Sequence, residues 1–238
     1  MTQEIIWKKK GLLVNIQEHL SPTINSHGSI PFALQLNDDI FRIFFSSRND
    51  EGKSFPYSID AKISNGEITL ISKISEPLMK LGELGTFDDS GIMPSSLVRN
   101  DNKLYMFYIG WNPQVTVSYR LSIGLAVSED EGKTFTRVSN GPVCDRSVEE
   151  PFFNTAPYVL IEGGRWKMWY ISCTKWQKIN NYPEPSYHVK YAESANGINW
   201  ERNGTVCIDY DEFAKAIGRP CVLKKIAFIQ CIFLTGIL

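Results

Sequence analysis

A short aromatic stretch occurs three times in this chain, and it reads Phe41-Arg42-Ile43-Phe44-Phe45-Ser46-Ser47-Arg48-Asn49, Leu104-Tyr105-Met106-Phe107-Tyr108-Ile109-Gly110-Trp111-Asn112 and Trp166-Lys167-Met168-Trp169-Tyr170-Ile171-Ser172-Cys173. The copies begin at residues 41, 104 and 166, so they are 63 and 62 residues apart. A period of this length, built from short aromatic strands, is typical of a β-propeller with about four strands in each blade. We therefore predict an all-β propeller whose innermost strands surround a central channel.

A second motif supports the same period. Ile123-Gly124-Leu125-Ala126-Val127-Ser128 leads into a glycine turn at Gly132, and residues 189–200 repeat this order 66 residues later. Each copy reads as a strand, a tight turn and an aromatic residue that opens the next strand, because glycine supplies the positive φ that such turns need. Residues 57–63, with a turn at Asn65-Gly66, are interpreted as a degenerate first copy.

The composition excludes several classes of partner. The chain has 238 residues, 43% of them hydrophobic, and a net charge of −1, so no basic field is available to attract nucleic acid. No apolar run reaches the roughly 20 residues that span a bilayer. The first ten residues lack the apolar core of a signal peptide, so we expect a cytoplasmic protein.

Cysteine and histidine usage predicts neither disulfides nor a metal or other cofactor. The odd number of cysteines and the absence of a CxxC pair favour free thiols in a reducing compartment. The three histidines show no ligand spacing with the cysteines. The five cysteines are Cys144, Cys173, Cys207, Cys221 and Cys231.

The repeats predict a single domain, residues 1–238, that does not complete a five-bladed ring. Five blades at this period need about 310 residues. The aromatic motif that is due near residue 228 is absent, and the apolar residues 226–238 stand there instead. One hypothesis is a change of reading frame near Lys224 or Lys225; the alternative is a genuine apolar last strand. The predicted blades are 20–80, 81–145, 146–208 and a partial blade 209–238.

Three carboxylates precede a proline at the start of successive inner strands. Asp89 precedes Pro94, Glu150 precedes Pro157 and Glu212 precedes Pro220, whereas the first blade carries His27 at this place, ahead of Pro31. Equivalent positions on successive blades point at one axis, so we expect these carboxylates to converge at one end of the channel and the pKa of one to rise. Such a pair suits cleavage of a glycosidic bond. The alternatives are that Asp89 shapes a turn and that Glu150 lies in a solvated loop.

Arginine and tryptophan side chains near the same rim are candidates for substrate binding. The guanidinium groups could pair with a carboxylate or hold an anionic sugar or phosphate, and the indole rings could stack on a sugar. Structural ion pairs and rim packing are the alternatives. Together with His27, these candidates are Arg48, Arg146, Arg219, Trp111 and Trp176.

Residues 5–224 resemble the five-bladed propeller glycosidases, which include glycoside hydrolase family 43, the arabinanases and the invertases. The motifs that carry the resemblance are Gly85-Thr86-Phe87-Asp88-Asp89-Ser90-Gly91, Ile123-Gly124-Leu125-Ala126-Val127-Ser128 and Met168-Trp169-Tyr170. The resemblance implies that Asp89 orients and tunes the site and that Glu150 is the general acid. The chain departs from the family at His27, which stands where an aspartate base is expected.

We therefore predict a glycoside hydrolase-like protein that acts on or binds a glycan at the propeller axis with a carboxylate acid/base mechanism. A non-catalytic glycan-binding scaffold, an inactive truncated product and a glycoside phosphorylase are the alternatives. An incomplete ring exposes strand edges, so self-association is also expected.

Overall fold

The structure, a computed structural model, describes residues 9–225 and 228–236, with side chains for residues 9–223. In these residues the chain is built from strands and a turn of 3-10 helix at Ile16–Glu18, and no helix is long and apolar enough to cross a membrane. The strands are β1 Ser26–Gln35, β2 Ile40–Arg48, β3 Ser54–Ser64, β4 Glu67–Leu70, β5 Gly91–Asn100, β6 Lys103–Pro113, β7 Tyr119–Ser128, β8 Thr136–Arg137, β9 Asn154–Glu162, β10 Arg165–Ile179, β11 Tyr182–Ser194, β12 Trp200–Glu201, β13 Val206–Ile208, β14 Ala216–Lys225 and β15 Phe228–Gly236.

The described strands form four antiparallel units in chain order. The first unit is β1–β4, the second β5–β8, the third β9–β13 and the fourth β14–β15. One parallel residue pair, Ser54 with Gly91, joins the first unit to the second, and another, Tyr187 with Ala216, joins the third to the fourth. Within each unit, hairpins connect neighbouring strands, and Asn65 and Gly66 form the predicted turn with φ of 51° and 76°.

The three aromatic motifs are β2, β6 and β10, the second strand of each of the first three units. Successive side chains of a strand point to opposite faces, so the motif packs on both sides. Met106 and Tyr108 lie in a core cluster with Phe44 of the first unit, whereas Phe107 lies in a cluster with Met168 of the third. Each of these buried side chains contributes on the order of 1.5–3 kcal/mol by leaving water.

Every inner strand carries a register shift at a proline. β1, β5, β9 and β14 each slip against their partner there, as a β-bulge does. In three of them the residue before the proline has a left-handed backbone: φ is 52° at Ile30, 45° at Ala156 and 52° at Arg219. The prolines are Pro31, Pro94, Pro157 and Pro220.

The backbone of the apolar tail pairs within its own chain. β15 runs antiparallel to β14 with Val222 opposite Cys231, in the place that a second strand occupies in the other units. Residues 226, 227, 237 and 238 of the predicted tail lie outside the described residues. The change of reading frame and the self-association stay predictions.

Candidate functional site

Two connected cavities follow the inner strands. The inner cavity, about 500 Å³, is lined by residues of all four inner strands, among them Ala33, Ser96, Tyr158 and Cys221. The mouth cavity, about 370 Å³, lies at the end where these strands begin, and Ile30, Met93, Thr155 and Gly218 line it. Ala156 and Arg219 line both cavities. The predicted channel is therefore present, and its mouth is the candidate site.

Arg219 places a positive charge in this channel. Its guanidinium donates a hydrogen bond to the backbone carbonyl of Pro31 in the first unit, at 3.1 Å. Burial lowers the pKa of Arg219. In the described part of the chain, no carboxylate is paired with this side chain. A buried guanidinium with only a backbone partner is suited to hold an anion or the oxygens of a polar ligand.

Aromatic rings form one wall of the mouth cavity. Tyr119, Phe153 and Tyr187 line it, with ring centroids 5.9 Å apart for the first two and 6.2 Å apart for Phe153 and Tyr187. Trp176, a predicted stacking residue, packs edge-on against Tyr119 at 5.4 Å and Phe153 at 5.8 Å and supports this wall from behind. The sequence analysis missed the three lining rings, because they lie outside the repeated motifs.

Glu150 is buried at the end of the third unit, with 4% of its surface exposed. It accepts hydrogen bonds from Tyr170 at 2.8 Å, Lys190 at 3.2 Å and Ser172 at 3.2 Å. Asn154 also donates to it, and the Arg202 guanidinium lies 3.6 Å away.

These donors decide which charge state Glu150 adopts. Burial alone would raise the pKa of Glu150, but the hydrogen bond from Tyr170 and the charges of Lys190 and Arg202 outweigh burial and lower it. The predicted rise in pKa is therefore wrong for this carboxylate. A general acid needs a raised pKa, so the surroundings of Glu150 oppose that role.

The equivalent of Glu150 in the second unit is Asp88, and not Asp89 as the alignment on proline assumed. Asp88 lies 62 residues before Glu150, as Tyr108 does before Tyr170, and each tyrosine donates to its carboxylate. Asp88 is fully buried and pairs with Arg137 at 2.8 Å. The repeated spacing of these residues was the signal that would have found the buried pair.

Asp89 has the contacts of the turn-shaping alternative. It is half-buried, and it accepts hydrogen bonds from the Gly85 backbone at 2.9 Å and from the Ser90 hydroxyl at 2.8 Å. Glu212 is exposed in the loop before β14. No described contact joins Asp89, Glu150 and Glu212, and no carboxylate lines either cavity in the described residues.

The remaining predicted binding residues lie outside both cavities. His27 is exposed with φ of 68°, and its Nδ1 is 2.7 Å from the Ser26 hydroxyl. Arg146 is exposed. Arg48 stacks over Trp111 at 5.5 Å, and the other side of this indole meets Gly91, so neither of the two is free to stack on a sugar.

The described residues offer no site for a metal ion. No group of three histidine, cysteine, aspartate or glutamate side chains is placed to hold one. Burial raises the pKa of both Cys144 and Cys173 to about 12, so these thiols are protonated.

No family model matches the chain. It is 33% identical over 219 residues to the uncharacterized protein MT1551 of Mycobacterium tuberculosis (strain CDC 1551 / Oshkosh), covering 92% of this chain and 72% of that protein. It is 34% identical over 203 residues to the uncharacterized protein Rv1502 of strain ATCC 25618 / H37Rv, covering 85% of this chain and 66% of that protein. The chain belongs to the family of these mycobacterial proteins.

Solved structures share the fold. The α-L-arabinanase of Cellvibrio cellulosa matches with a TM-score of 0.64 at 12% identity, over 92% of this chain and 72% of the enzyme, and has also been solved with arabinohexaose. A variant of the Bombyx mori GH32 β-fructofuranosidase BmSUC1 in complex with sucrose matches with a TM-score of 0.63 at 15% identity, over 87% of this chain and 41% of that enzyme. The predicted all-β propeller fold is confirmed, whereas the number of blades stays a prediction.

Proposed function

We propose that this protein binds a carbohydrate in the mouth cavity, with a sugar ring against the aromatic wall and Arg219 holding its polar edge. The observation that carries this proposal is the juxtaposition of Tyr119, Phe153 and Tyr187 with a guanidinium that lacks a carboxylate partner. Aromatic faces stack on the apolar face of a sugar, and arginine recognises hydroxyl or anionic oxygens. The glycosidase fold supports a glycan as the ligand, since the channel mouth is a site that propellers offer.

Binding is favoured over ordinary hydrolysis. The predicted mechanism needs a protonated acid and a base on opposite sides of the glycosidic bond. Glu150 is held in its ionised form, Asp89 caps its own loop, and Glu212 is an exposed loop residue. His27 stands where the base is expected. Hydrolysis by these carboxylates is therefore an outcome of the test rather than the proposal.

A glycoside phosphorylase is the second candidate. In that reaction inorganic phosphate replaces water as the nucleophile, so the site must hold an anion beside the sugar. Arg219 supports this candidate because its guanidinium lies in the cavity with only the Pro31 carbonyl as a partner. Burial of that charge strengthens its attraction for phosphate.

Calorimetric titration with a set of neutral oligosaccharides, led by arabinohexaose and sucrose, tests the proposal. We expect binding of at least one glycan, and Arg219→Gln should weaken it about ten- to hundredfold, as expected for a hydrogen bond to a charged group. Arg99→Gln is the matched control, because Arg99 forms an exposed ion pair with Glu131 and should leave affinity unchanged.

The same sugars, incubated with and without phosphate and separated by chromatography, distinguish the functions. Binding without turnover supports the proposal. Phosphate-dependent release of a sugar phosphate identifies the phosphorylase, and phosphate-independent cleavage identifies a hydrolase. Absence of binding to every sugar in the set would overturn carbohydrate recognition.

A further inference from the structure

The second and third units provide an internal comparison, because their strand registers match. Gly110 is paired with Ile92 and Ser122 in the second unit, as Ser172 is with Asn154 and His188 in the third. At five matched positions the third unit carries a polar side chain that the second unit lacks or replaces. The third-unit polar patch consists of Asn154, Ser172, Ser186, His188 and Lys190, and its counterparts are Ile92, Gly110, Arg120, Ser122 and Gly124.

The second unit closes the corresponding region with rings and satisfied polar groups. A Cβ on Gly110 would lie 2.4 Å from the Phe87 ring, and a Cβ on Gly124 would lie 2.2 Å from the Tyr108 ring. Ser122 and Arg120 are both paired with Asp145. The second unit therefore shows what this part of a blade contains when it serves packing alone.

In the third unit the matching pair is His188 with Asp209. The carboxylate of Asp209 lies 3.0 Å from His188 Nδ1, which fixes the neutral tautomer with its proton on Nδ1 and leaves Nε2 as an acceptor. The histidine is 9% exposed, and its Nε2 is buried without a hydrogen-bond partner in the described residues. Ser186, which replaces Arg120, is also buried with an unpartnered hydroxyl.

Asn154 offers a second unused acceptor. Its amide nitrogen donates to Glu150, so its Oδ1 faces away from that bond, fully buried and without a partner in the described residues. Ser172 lies between Asn154 and His188 in the register. Buried polar groups in proteins are almost always paired, so two acceptors of this kind in one patch call for a donor that is absent from the chain.

We propose that Asn154 Oδ1 and His188 Nε2 accept hydrogen bonds from two hydroxyl groups of the carbohydrate, so that the third-unit polar patch determines which sugar binds. This rests on the proposed function. Thr155 and Tyr187, the chain neighbours of these two residues, line the mouth cavity, so the patch adjoins the bound ring. An ammonium donor is disfavoured, because Lys190 and Arg202 already place two cations beside Glu150. The hydroxyls of a sugar are the remaining donors of this chemistry.

Tyr210 covers the patch in the unliganded protein. Its ring centroid lies 6.2 Å from that of His188, and its hydroxyl is 3.0 Å from that of Thr174. The ligand displaces this side chain to reach the imidazole. A single hydrogen bond at a half-exposed site holds Tyr210 in place, so the displacement costs little.

The imidazole nitrogens of the intact protein report this contact directly. The chain has three histidines, so ¹⁵N spectra contain three imidazole signal sets, which His19→Gln and His27→Gln assign. At about pH 8, well above the ordinary histidine pKa of about 6.5, the His188 Nε2 signal should have the shift of an unprotonated acceptor. Saturating arabinohexaose, sucrose or another sugar that binds by calorimetry should move that signal and leave the signals of His19 unchanged.

The substitution that restores the second-unit residue completes the test. His188→Ser should weaken binding about three- to tenfold, as expected for the loss of one neutral hydrogen bond, and Ser122→Ala in the second unit should change it less than about twofold. Calorimetric binding with an unmoved His188 signal would overturn this inference, assign the two acceptors to ordered water and leave the proposed function intact. Absence of both binding and shift throughout the sugar set would overturn both.

Discussion

Glu150 and Asp88 occupy equivalent places in two units, yet their surroundings differ in ways that matter at the scale of single residues. Asp88 is enclosed by Tyr108, Arg137 and Thr86, which complete its hydrogen bonds. Glu150 instead holds together side chains from several strands, including two cations. The second carboxylate supports a blade, whereas the third also organises the polar surface that adjoins the mouth cavity.

Glu150→Gln should destabilise the protein by about 3 kcal/mol, because removing one partner leaves the buried charges of Lys190 and Arg202 uncompensated. Urea unfolding followed by tryptophan fluorescence measures the change. Glu149→Gln is the matched control, since its side chain is exposed and accepts a bond only from Ser147, and it should cost less than about 0.5 kcal/mol. Equal stability of the two variants would contradict the assigned ion pairs.

The same carboxylate predicts a pH dependence with a definite sign. The pKa of Glu150 is lower in the folded protein than the ordinary glutamate value of about 4.3. Its contribution to stability is therefore fully present above that ordinary pKa and is lost as the pH falls through the folded value. Below about pH 4, the unfolding free energy of the wild type should fall more steeply than that of Glu150→Gln. Parallel curves would contradict this.

The sequence identified Glu150 but not the residues that surround it, and the reason is physical. A carboxylate ahead of a proline is visible in one dimension, whereas Asp209 and His188 meet only because β11 and the segment after β13 are adjacent. The choice of Asp89 over Asp88 was wrong because one residue along an extended chain reverses the side that a side chain faces. Arg219 was placed in the channel by the sequence, and it lines both cavities.

At the scale of elements, β7 and β11 show how one strand can be adapted to packing or to polar contacts. Gly124 of β7 lies against the Tyr108 ring, and Lys190 of β11 occupies the matching position beside Glu150. Glycine is required in β7 by the close approach of an aromatic ring. In β11, the ring of Tyr170 leaves room for a charged side chain.

Gly124→Ala should destabilise the protein by about 1–3 kcal/mol, because its Cβ would lie 2.2 Å from a ring carbon of Tyr108 in a closely packed core. Thermal unfolding measures the effect. Gly141→Ala is the control: a Cβ there meets nothing within 4 Å, so its melting temperature should match the wild type. A tolerated Gly124→Ala would show that the ring can move aside at little cost.

Strands and hairpin turns were predictable because their signals are local, as at Asn65-Gly66. The bulges in the inner strands were not. A residue that precedes proline prefers extended backbone, yet Ile30, Ala156 and Arg219 adopt left-handed conformations. The surrounding sheet imposes these conformations, and no short stretch of sequence records that constraint.

At the scale of the whole molecule, the fourth unit is the most weakly attached in the described chain. One parallel residue pair, Tyr187 with Ala216, joins it to the third unit, and the hydrogen bond from Arg219 to Pro31 connects it to the first. The second unit, by comparison, packs into core clusters on both of its faces.

Hydrogen exchange should therefore find β14–β15 opening at a lower free energy than β6–β7, because units with few buried contacts open first. Mass spectrometry of peptides from the two hairpins measures the difference. Arg219→Gln should accelerate exchange in β14 and leave exchange in β6 unchanged. Equal protection of the two hairpins would contradict a weakly attached fourth unit.

Self-association is the remaining prediction at this scale. β15 is the terminal strand of its sheet in the described chain, so one edge of its backbone has no strand partner there. Exposed strand edges pair with other chains. Sedimentation velocity over a hundredfold concentration range should show dimers or larger species, and a monomer at every concentration would show that the edge is protected.

The period of the aromatic motif was sufficient to predict the propeller, because each repeat must bury both faces against neighbours and can do so only in a stack or a ring. The closure of the ring was not predictable in the same way. Closure depends on long-range contacts such as Arg219 with Pro31, which join residues 188 positions apart in the chain.

The register shifts of the inner strands have a consequence for how such a protein can change over evolutionary time. Residues three apart on a regular strand face opposite ways. Here they face the same channel: Met93 and Ser96, Thr155 and Tyr158, and Gly218 and Cys221 each contribute one member to the mouth and one to the inner wall. The bulge thus frees the two halves of a strand from a common alternation. Selection can alter the residues at the mouth for a new ligand while the inner wall retains its own sequence.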